Sequence, residues 1–327
     1  MAQITERRSS LCPQISAVRE LYTSMENVIL FFVSGISYNR PKLCSSATWR
    51  EDPEVFANAS VMGNSVYSVF LDRKDDLYAI ATELAQIFVW PTKNTTLKCN
   101  LTLLHRGSMN LFVNINGHIF VDYNSTDQYG VMKWIPGSTS SELVLTASER
   151  CYFIFLDVHD NIFCSMTQKH MILRRSFNDH PNVTKVYAGN GTAGNTSELL
   201  NRPHGIFITK DQTLYIADCG NNRVQLIRDN MQISTVADNF TVGAYALNCP
   251  IGITVDSDEN VYVTDSNNNR ILMLNSKGVR CIIGCMATKL NLLNPWSLGF
   301  DTIGNLFVAE AGNARILAFN LSTNCGS

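Results

Sequence analysis

Ten cysteines are the residues of this sequence that can form covalent links: Cys12, Cys44, Cys99, Cys151, Cys164, Cys219, Cys249, Cys281, Cys285 and Cys325. An even number suits disulfides in an oxidising compartment. The alternative is a set of buried free thiols, because Cys is among the residue types most often buried. Cys281 and Cys285 lie four residues apart, but no second Cys or His pair completes a structural zinc site. If both lie in one extended strand, they are too far apart to bond each other.

Nine Asn-x-Ser/Thr triplets, a mild excess over chance, begin at Asn58, Asn94, Asn100, Asn124, Asn182, Asn190, Asn195, Asn239 and Asn320. Such triplets accept glycan only in the secretory pathway. The amino terminus gives weaker support, because Arg7 and Arg8 lie well before a short apolar run at Val28–Val33, whereas a signal peptide begins with a basic region and an apolar core. Cysteines and triplets together predict an extracellular protein or one of the secretory pathway.

Composition argues against several classes of protein. The chain has 327 residues, of which 45% are apolar and 17% charged, and its net charge is −2. A nucleic-acid binder would carry a basic surface, and a disordered chain would be richer in charge and poorer in apolar residues. No stretch reaches about 20 apolar residues, the length of a membrane-spanning helix. We therefore predict a folded protein with no nucleic-acid partner and no membrane span.

Three acid–arginine pairs recur with the same spacing of five residues: Asp218/Arg223, Asp265/Arg270 and Glu310/Arg315. Charged pairs of this kind could form a binding site. Asn residues lie between the two members of each pair, and Asn tolerates the left-handed backbone of tight turns. An acid–Arg pair across a turn also stabilises it. We favour this structural role, because a feature present in every good copy of a repeat usually serves the repeat.

The same pairs mark a repeat with six copies. The strong copies are Pro203–Asp218, Pro250–Asp265 and Pro295–Glu310. The weaker copies begin at Val66, Ser108 and Cys151. All six share an aromatic residue in one register, at Tyr78, Phe120, Phe163, Tyr215, Tyr262 and Phe307. Four short strands in 42 to 52 residues is the period of a β-propeller blade. A two-domain sandwich is the alternative, but it would not predict six copies in register.

The pattern from Pro250 to Ile271 resembles the NHL repeat. The resemblance is specific across residues 200–320 and degenerate across 66–175, where the Asn-Arg element is missing. It implies an all-β fold, the six-bladed β-propeller of NHL type, with four antiparallel strands in each blade.

Closure of the ring requires a strand from the N-terminal side. The sixth copy supplies three strands, and Trp49–Ala57 is predicted to pair with Arg315–Asn320 as the fourth, since an open ring would expose two sheet edges. This pairing would bring Cys44 near Cys325, a predicted disulfide, and Cys219 and Cys249 form a second predicted pair. The propeller then spans residues 46–327. Residues 1–45 form an N-terminal segment that is poorly ordered or cleaved.

One residue near the start of each copy is expected to surround an opening of the central channel: Tyr67, Met109, Tyr152, His204, Ile251 and Trp296. Three aromatic rings and one His would suit an apolar or sugar-like ligand, and plain packing is the alternative. His204 in Pro-His-Gly resembles a zinc ligand of propeller lyases, but catalytic zinc needs about three protein ligands. Ile251 and Trp296 occupy the corresponding positions. Calcium-dependent lactonase propellers line the channel with acids and Asn, whereas the inner positions here are mostly apolar.

These points predict a non-enzymatic binding or scaffold propeller that recognises a protein or glycan through the loops of its faces. We expect a monomer without a cofactor or a metal site. The alternative is a divergent metal-dependent lyase or hydrolase on the same fold.

Overall fold

Short apolar and β-branched runs, separated by Asp, Gly and Asn turns, form six four-stranded antiparallel sheets. The computed structural model describes residues 36–93, 96–103, 106–136, 138, 140–228, 231–237, 245–285, 290 and 292–324. Within these residues the one α-helix is a single turn, α1 (Ala59–Met62), which Asn58 caps. This architecture confirms the predicted all-β, six-bladed propeller.

The four strands of each blade are called A to D, from the centre of the ring outward. The first three blades consist of β3–β6 (Val66–Leu71, Asp76–Ala81, Gln86–Pro91, Cys99–Thr102), β7–β10 (Leu111–Val113, Ile119–Asn124, Tyr129–Trp134, Ser141–Ala147) and β11–β14 (Phe153–Leu156, Ile162–Met166, Met171–Arg175, Lys185–Gly189). The last three consist of β15–β18 (Pro203–Ile208, Leu214–Asp218, Arg223–Ile227, Ile233–Ala237), β19–β22 (Pro250–Val255, Val261–Asp265, Arg270–Asn275, Gly278–Ile283) and β23–β25 (Pro295–Phe300, Leu306–Glu310, Arg315–Phe319) with β2 (Glu54–Ala57). The A strands of neighbouring blades contact one another around the ring.

The connections between strands define two faces of the disc, because the four strands of every blade run antiparallel. We call the face that carries the A–B and C–D turns the AB face. The opposite face carries the B–C turns and the connections from one blade to the next, and we call it the BC face.

A short polar residue at the end of strand A closes each A–B turn with its own side chain. In the third blade Asp157 Oδ1 accepts the N–H groups of His159 and Asn161, both at 2.9 Å. The equivalent residues of four other blades accept the same two N–H groups: Asp72, Asn114, Asp256 and Asp301. In the fourth blade Thr209 Oγ1 accepts the N–H of Thr213 at 3.1 Å. A small polar side chain six residues before the recurring aromatic is therefore what this turn requires.

The recurring aromatic of each copy lies on strand B and is buried: Tyr78, Phe120, Phe163, Tyr215, Tyr262 and Phe307. Each lies directly opposite one residue of strand A, and the six partners are Phe70, Phe112, Phe155, Phe207, Thr254 and Gly299. The shared register of the six copies is therefore a shared position in the blade. Burial of this ring between neighbouring sheets contributes to the core of every blade.

The N-terminal strand closes the ring as predicted. Strand β2 pairs antiparallel with strand β25, and Val55 lies opposite Leu317. A second, two-stranded sheet of β1 (Thr48–Trp49) and β26 (Leu321–Thr323) adds to this closure. The sixth blade thus combines strands from both ends of the described chain. Strand β2 covers the edge of strand β25 that would otherwise be exposed.

The residues before this strand lie across the AB face. Asn39 Nδ2 donates to the carbonyl of Asp72 in the first blade at 2.8 Å, and Arg40 Nε donates to the carbonyl of Asp256 in the fifth blade at 3.0 Å. Leu43 is fully buried, and its carbonyl accepts a hydrogen bond from Asn260. The described part of the predicted N-terminal segment, residues 36–45, therefore packs on the propeller.

Candidate functional site

The three acid–arginine pairs lie in the B–C turns of the last three blades. Asp218 Oδ2 and Asp265 Oδ2 each accept a hydrogen bond from the Nε of their Arg at 2.7 Å, and Glu310 pairs with Arg315 in the same way. Each acid also accepts the N–H of the residue two positions before the repeat's Pro: Asn201, Asn248 and Leu293. All three carboxylates are fully buried. These contacts use the acids to join each turn to the incoming loop, in agreement with the structural role favoured above.

A second contact of the B–C turns links neighbouring blades. The left-handed Asn before Arg223 and before Arg270 accepts the backbone N–H that precedes the next blade: Asn222 Oδ1 from Cys249 at 2.9 Å and Asn269 Oδ1 from Asn294 at 2.7 Å. His170 Nδ1 accepts from Arg202 at 3.0 Å in the same place of the third blade. The sequence analysis missed this role of the Asn residues. Its signal was their fixed position directly before Arg.

The structure brings four of the six predicted mouth residues together at the centre of the BC face. The ring of Trp296 lies 5.0 Å from that of Tyr67 and 5.7 Å from that of His204, and His204 lies 5.7 Å from Tyr152, all edge to face. Ile251 is buried in the core cluster against which Tyr152 and Trp296 pack. These four rings come from the first, third, fourth and sixth blades. We call this row of rings, Tyr67, Trp296, His204 and Tyr152, the mouth row.

Met109, the sixth predicted mouth residue, contacts the mouth row through Arg150. The Arg150 guanidinium donates to Met109 Sδ at 3.1 Å and to the Gly107 carbonyl at 2.5 Å, and it lies 5.7 Å from the centre of the Tyr152 ring. Asp122 Oδ2 lies 3.5 Å from Arg150 Nε. The mouth therefore has a fixed guanidinium at one end, held by residues of the second blade.

Burial dominates the electrostatics of two groups at the mouth. His204 is 4% exposed, its Nδ1 has no hydrogen-bond partner among the described residues, and burial together with the charge of Arg202 lowers its pKa to about 4. The imidazole is therefore neutral at pH 7. Complete burial raises the pKa of Asp122 to about 6, although Arg150 and the N–H groups of Met109 and Asn110 oppose this shift.

Aromatic rings fill the channel beneath the mouth. Phe70, Phe112, Phe155 and Phe207 follow one another around the ring at centroid distances of 4.9, 4.9 and 5.0 Å. Tyr38 enters from the AB face, packs on Phe155 and Phe207, and donates its hydroxyl to the Ile208 carbonyl at 2.7 Å. A cavity of about 80 Å³ remains beside the smaller residues of the last two blades.

Two larger grooves lie between blades at the AB face. One, of about 560 Å³, has Tyr215, Leu226 and Leu274 as its floor and Asp258 and Glu259 among its rim residues. The other, of about 440 Å³, lies between the first two blades. Its lining combines Arg73, Lys74 and His118 with Tyr78 and Ile115, of which Ile115 is 53% exposed.

Histidine and acidic side chains are scattered over the fold. His118 and His159 lie in A–B turns, His170 in a B–C turn and His180 in a C–D turn, while His105 lies outside the described residues. In the described ranges, no three His, Cys, Asp or Glu side chains come together as a group that could hold a metal ion. The same ranges contain no helix with the length and apolar character needed to span a membrane.

Three disulfides are described: Cys151–Cys164, Cys219–Cys249 and Cys281–Cys285. The second is the pair predicted from the sequence. Cys281 and Cys285 were expected not to bond each other if both lay in one extended strand. This condition is not met, because strand β22 ends at Ile283 and Gly284, with φ of 75°, turns the chain back. Cys44 is also disulfide-bonded. Its predicted partner Cys325 lies outside the described residues, as does Cys12, so this pairing stays a prediction.

The Asn-x-Ser/Thr triplets lie on the surface where they are described. Asn58, Asn182, Asn190 and Asn195 are exposed. Asn100, Asn124 and Asn320 are partly exposed, whereas Asn94 and Asn239 lie outside the described residues. The disulfides are typical of an extracellular protein, and glycosylation at these positions stays a prediction.

The fold and the repeated B–C turns define a closed six-bladed β-propeller. Residues 200–225 and 247–272 match the family model of the NHL repeat, so the propeller contains NHL repeats in its fourth and fifth blades. Both matched segments lie in the strong copies. The sequence matches no curated protein.

The structure is similar to propellers of different function. Virginiamycin B lyase from Staphylococcus aureus shares 13% identity with a TM-score of 0.58, over 83% of this chain and 99% of the lyase. A gluconolactonase from Xanthomonas campestris shares 12% with a TM-score of 0.58, over 86% and 100%. A chain of the nidogen/laminin complex shares 17% with a TM-score of 0.55, over 70% and 83%. At these identities the likeness shows the fold alone, and a propeller fold does not fix a function.

Proposed function

We propose that this protein is a non-enzymatic binding propeller of the extracellular space that recognises a protein or a glycan at the centre of its BC face. The observation that carries the proposal is the filled channel. Four Phe rings and Tyr38 leave a cavity of about 80 Å³. Pockets that take small molecules measure about 300–1,000 Å³, so the channel itself is too small to hold such a ligand.

The mouth row gives the BC face the composition of a recognition surface. Tyr67, Tyr152 and Trp296 are partly exposed and lie side by side. Trp, Tyr and Arg are enriched among residues that contribute most to binding, and Arg150 lies at one end of the row. Three of the four side chains of the mouth row lie on the inner strands of their blades, and Tyr152 directly precedes strand β11, so the surface is rigid before a ligand arrives.

His204 and the acids of the B–C turns, all on the same face, favour binding over catalysis. A general acid or base works best when its pKa lies near the operating pH. His204, with a pKa of about 4, is neutral at pH 7 and a weak base. The acids of the B–C turns are buried against their Arg partners.

The alternative remains a metal-dependent lyase or hydrolase. Virginiamycin B lyase and the gluconolactonase have the same fold at low identity. No contact among the described residues of the mouth favours this alternative, and elemental analysis of the purified chain for zinc and calcium separates the two.

The binding test uses the purified full chain on a glycan array and on immobilised extracellular-matrix proteins, with laminin among them. We expect a ligand whose affinity falls by roughly tenfold or more in Trp296→Ala and in Tyr67→Ala, since aromatic hot spots contribute on this scale. The matched control is Ile303→Ala, because Ile303 is 66% exposed on the AB face. Binding that is lost in the control and kept in both mouth variants would contradict the proposal.

A further inference from the structure

The three described disulfides differ in how far they are shielded from solvent. Cys151 and Cys164 are fully buried. Cys219 is 3% exposed, and its partner Cys249 is partly exposed. Cys281 is also partly exposed, and Cys285 is the one cysteine of these three bonds that is exposed. An external thiol can therefore reach Cys285 most readily and Cys249 less readily, whereas it can reach Cys151–Cys164 only after local opening.

The three bonds also differ in what they connect. Cys219–Cys249 joins the B–C turn of the fourth blade to the residue that precedes the fifth, across 30 residues of sequence. Cys151–Cys164 spans 13 residues, and Cys281–Cys285 spans only four. The shortest loop restricts the unfolded chain least, so its bond contributes least to the stability of the fold.

The fifth blade does not depend on the Cys281–Cys285 bond for its outer strand. Strand β22 pairs with strand β21 from Gly278, which lies opposite Asn275, to Ile283, which lies opposite Ile271. Cys281 lies within this ladder, opposite Leu272. Ile283 is buried beyond it. Opening of the disulfide therefore leaves the sheet paired.

We propose that Cys281–Cys285 is a site of thiol–disulfide exchange with external thiols, and that Cys285 is the sulfur attacked. The thiolate of a small thiol such as glutathione attacks Cys285 Sγ. A mixed disulfide forms with Cys285, the bond to Cys281 breaks, and Cys281 leaves as a thiolate that takes up a proton. A second glutathione thiolate attacks the glutathione sulfur of the mixed disulfide and leaves Cys285 as a thiol. In total, two glutathione molecules give one glutathione disulfide and two protein thiols, a two-electron reduction of the protein.

The test is graded reduction of the purified full chain with glutathione, followed by alkylation and peptide mass spectrometry. Trypsin cleaves after Arg280 and Lys289, so both cysteines fall on one peptide, 281–289. We expect this bond to be half-reduced at a glutathione concentration roughly tenfold below that needed for Cys151–Cys164 and Cys219–Cys249. Fragmentation of the partly reduced peptide is expected to place the glutathione adduct on Cys285.

A Cys281→Ser/Cys285→Ser double variant is the matched control. The Cys151–Cys164 and Cys219–Cys249 bonds of this variant should open at the same glutathione concentrations as in the parent chain, because neither depends on Cys281–Cys285. Reduction of Cys151–Cys164 or Cys219–Cys249 before Cys281–Cys285 would overturn the proposal. An adduct found on Cys281 instead of Cys285 would overturn the assignment of the attacked sulfur.

Discussion

The last three blades and the first three reach the same architecture with different side chains. In the fourth blade Asp218 lies opposite Arg223 at the B–C turn, and in the third blade Met166 lies opposite Met171 at the equivalent position. The backbone of the two turns is the same, a short 3₁₀ segment followed by a left-handed residue. The ion pair is therefore only one way to fill the B–C turn that the fold requires, and the repeat pattern records only that way.

The first half compensates with aromatic packing and one buried ion pair. Phe88 stacks on Trp90 in the first blade, and Phe56 of the closing strand packs edge to face on Trp90. In the second blade Asp122 Oδ1 accepts the N–H groups of Met109 and Asn110, which gives the start of strand A its hydrogen bonds. The first three blades resemble the repeat pattern of the last three only weakly because they use a different set of contacts within an equally regular fold.

The largest expected effect is the loss of an acid from a strong blade. Asp218→Ala removes the acceptor for Arg223, Asn201 and Asn221 and leaves a guanidinium that is 9% exposed without its carboxylate. We expect the free energy of unfolding in denaturant titrations to fall by about 3–5 kcal/mol. The control is Glu142→Ala, whose partner Lys133 lies 4.0 Å away at the surface. A loss below about 1 kcal/mol there is expected, and equal losses at both sites would refute the distinction.

Conversion of the fourth blade to the pattern of the third is expected to have a smaller effect. Asp218→Met with Arg223→Met removes both charges together, so no buried charge is left unpaired. The N–H of Asn201 still loses its acceptor. We expect the double variant to lose about 1–3 kcal/mol, less than Asp218→Ala alone. A double variant that is less stable than the single one would show that the two turn chemistries are not interchangeable.

The ion pair between Asp122 and Arg150 leads to a prediction of how the free energy of unfolding changes with pH. Burial raises the pKa of Asp122 to about 6, above the value of about 3.9 in an unfolded chain, so the folded protein binds the proton more tightly. The contribution of Asp122 to stability is therefore fully present below about pH 4 and falls as the pH rises to about 6, by an amount on the order of 2 kcal/mol. The test measures the free energy of unfolding of the parent chain and of Asp122→Asn from pH 4 to pH 7. The difference between the two isolates the contribution of Asp122. A difference that stays constant over this range would refute it.

The smallest expected effect concerns the links between blades. Asn269→Gly removes the acceptor of the Asn294 N–H while glycine keeps the left-handed backbone, which has φ of 54° here. We expect a loss of about 1 kcal/mol. His170→Asn in the third blade keeps an acceptor at the same position and should change the unfolding free energy by less than about 0.5 kcal/mol. A larger loss for His170→Asn would mean that the imidazole has a further role.

Local patterns predicted most of this fold from the sequence. The A–B turns, the buried aromatics of strand B and the strand that pairs with strand β25 all depend on residues within one copy of the repeat or on the need to close a ring. The acid–Arg pairs were correctly given a structural role in the turns, because they recur at one fixed spacing.

Contacts between distant parts of the chain were not predictable in this way. Tyr38 reaches the carbonyl of Ile208 across 170 residues, and no periodicity in the sequence marks it. The Cys281–Cys285 bond depends on where strand β22 ends, which Gly284 decides. The mouth residues were predicted as a ring of six positions, but the row of four rings and its link to Arg150 follow from side-chain packing across different blades.

The account of a binding propeller is tested most directly by elemental analysis of the purified full chain after dialysis against metal-free buffer without a chelator. A propeller lyase or hydrolase of the alternative kind retains its zinc or calcium under these conditions, because its affinity rests on several protein ligands. We predict no stoichiometric zinc or calcium in the protein. One equivalent of either metal, lost on mutation of His204 to Ala, would contradict the account and place a metal site at the mouth.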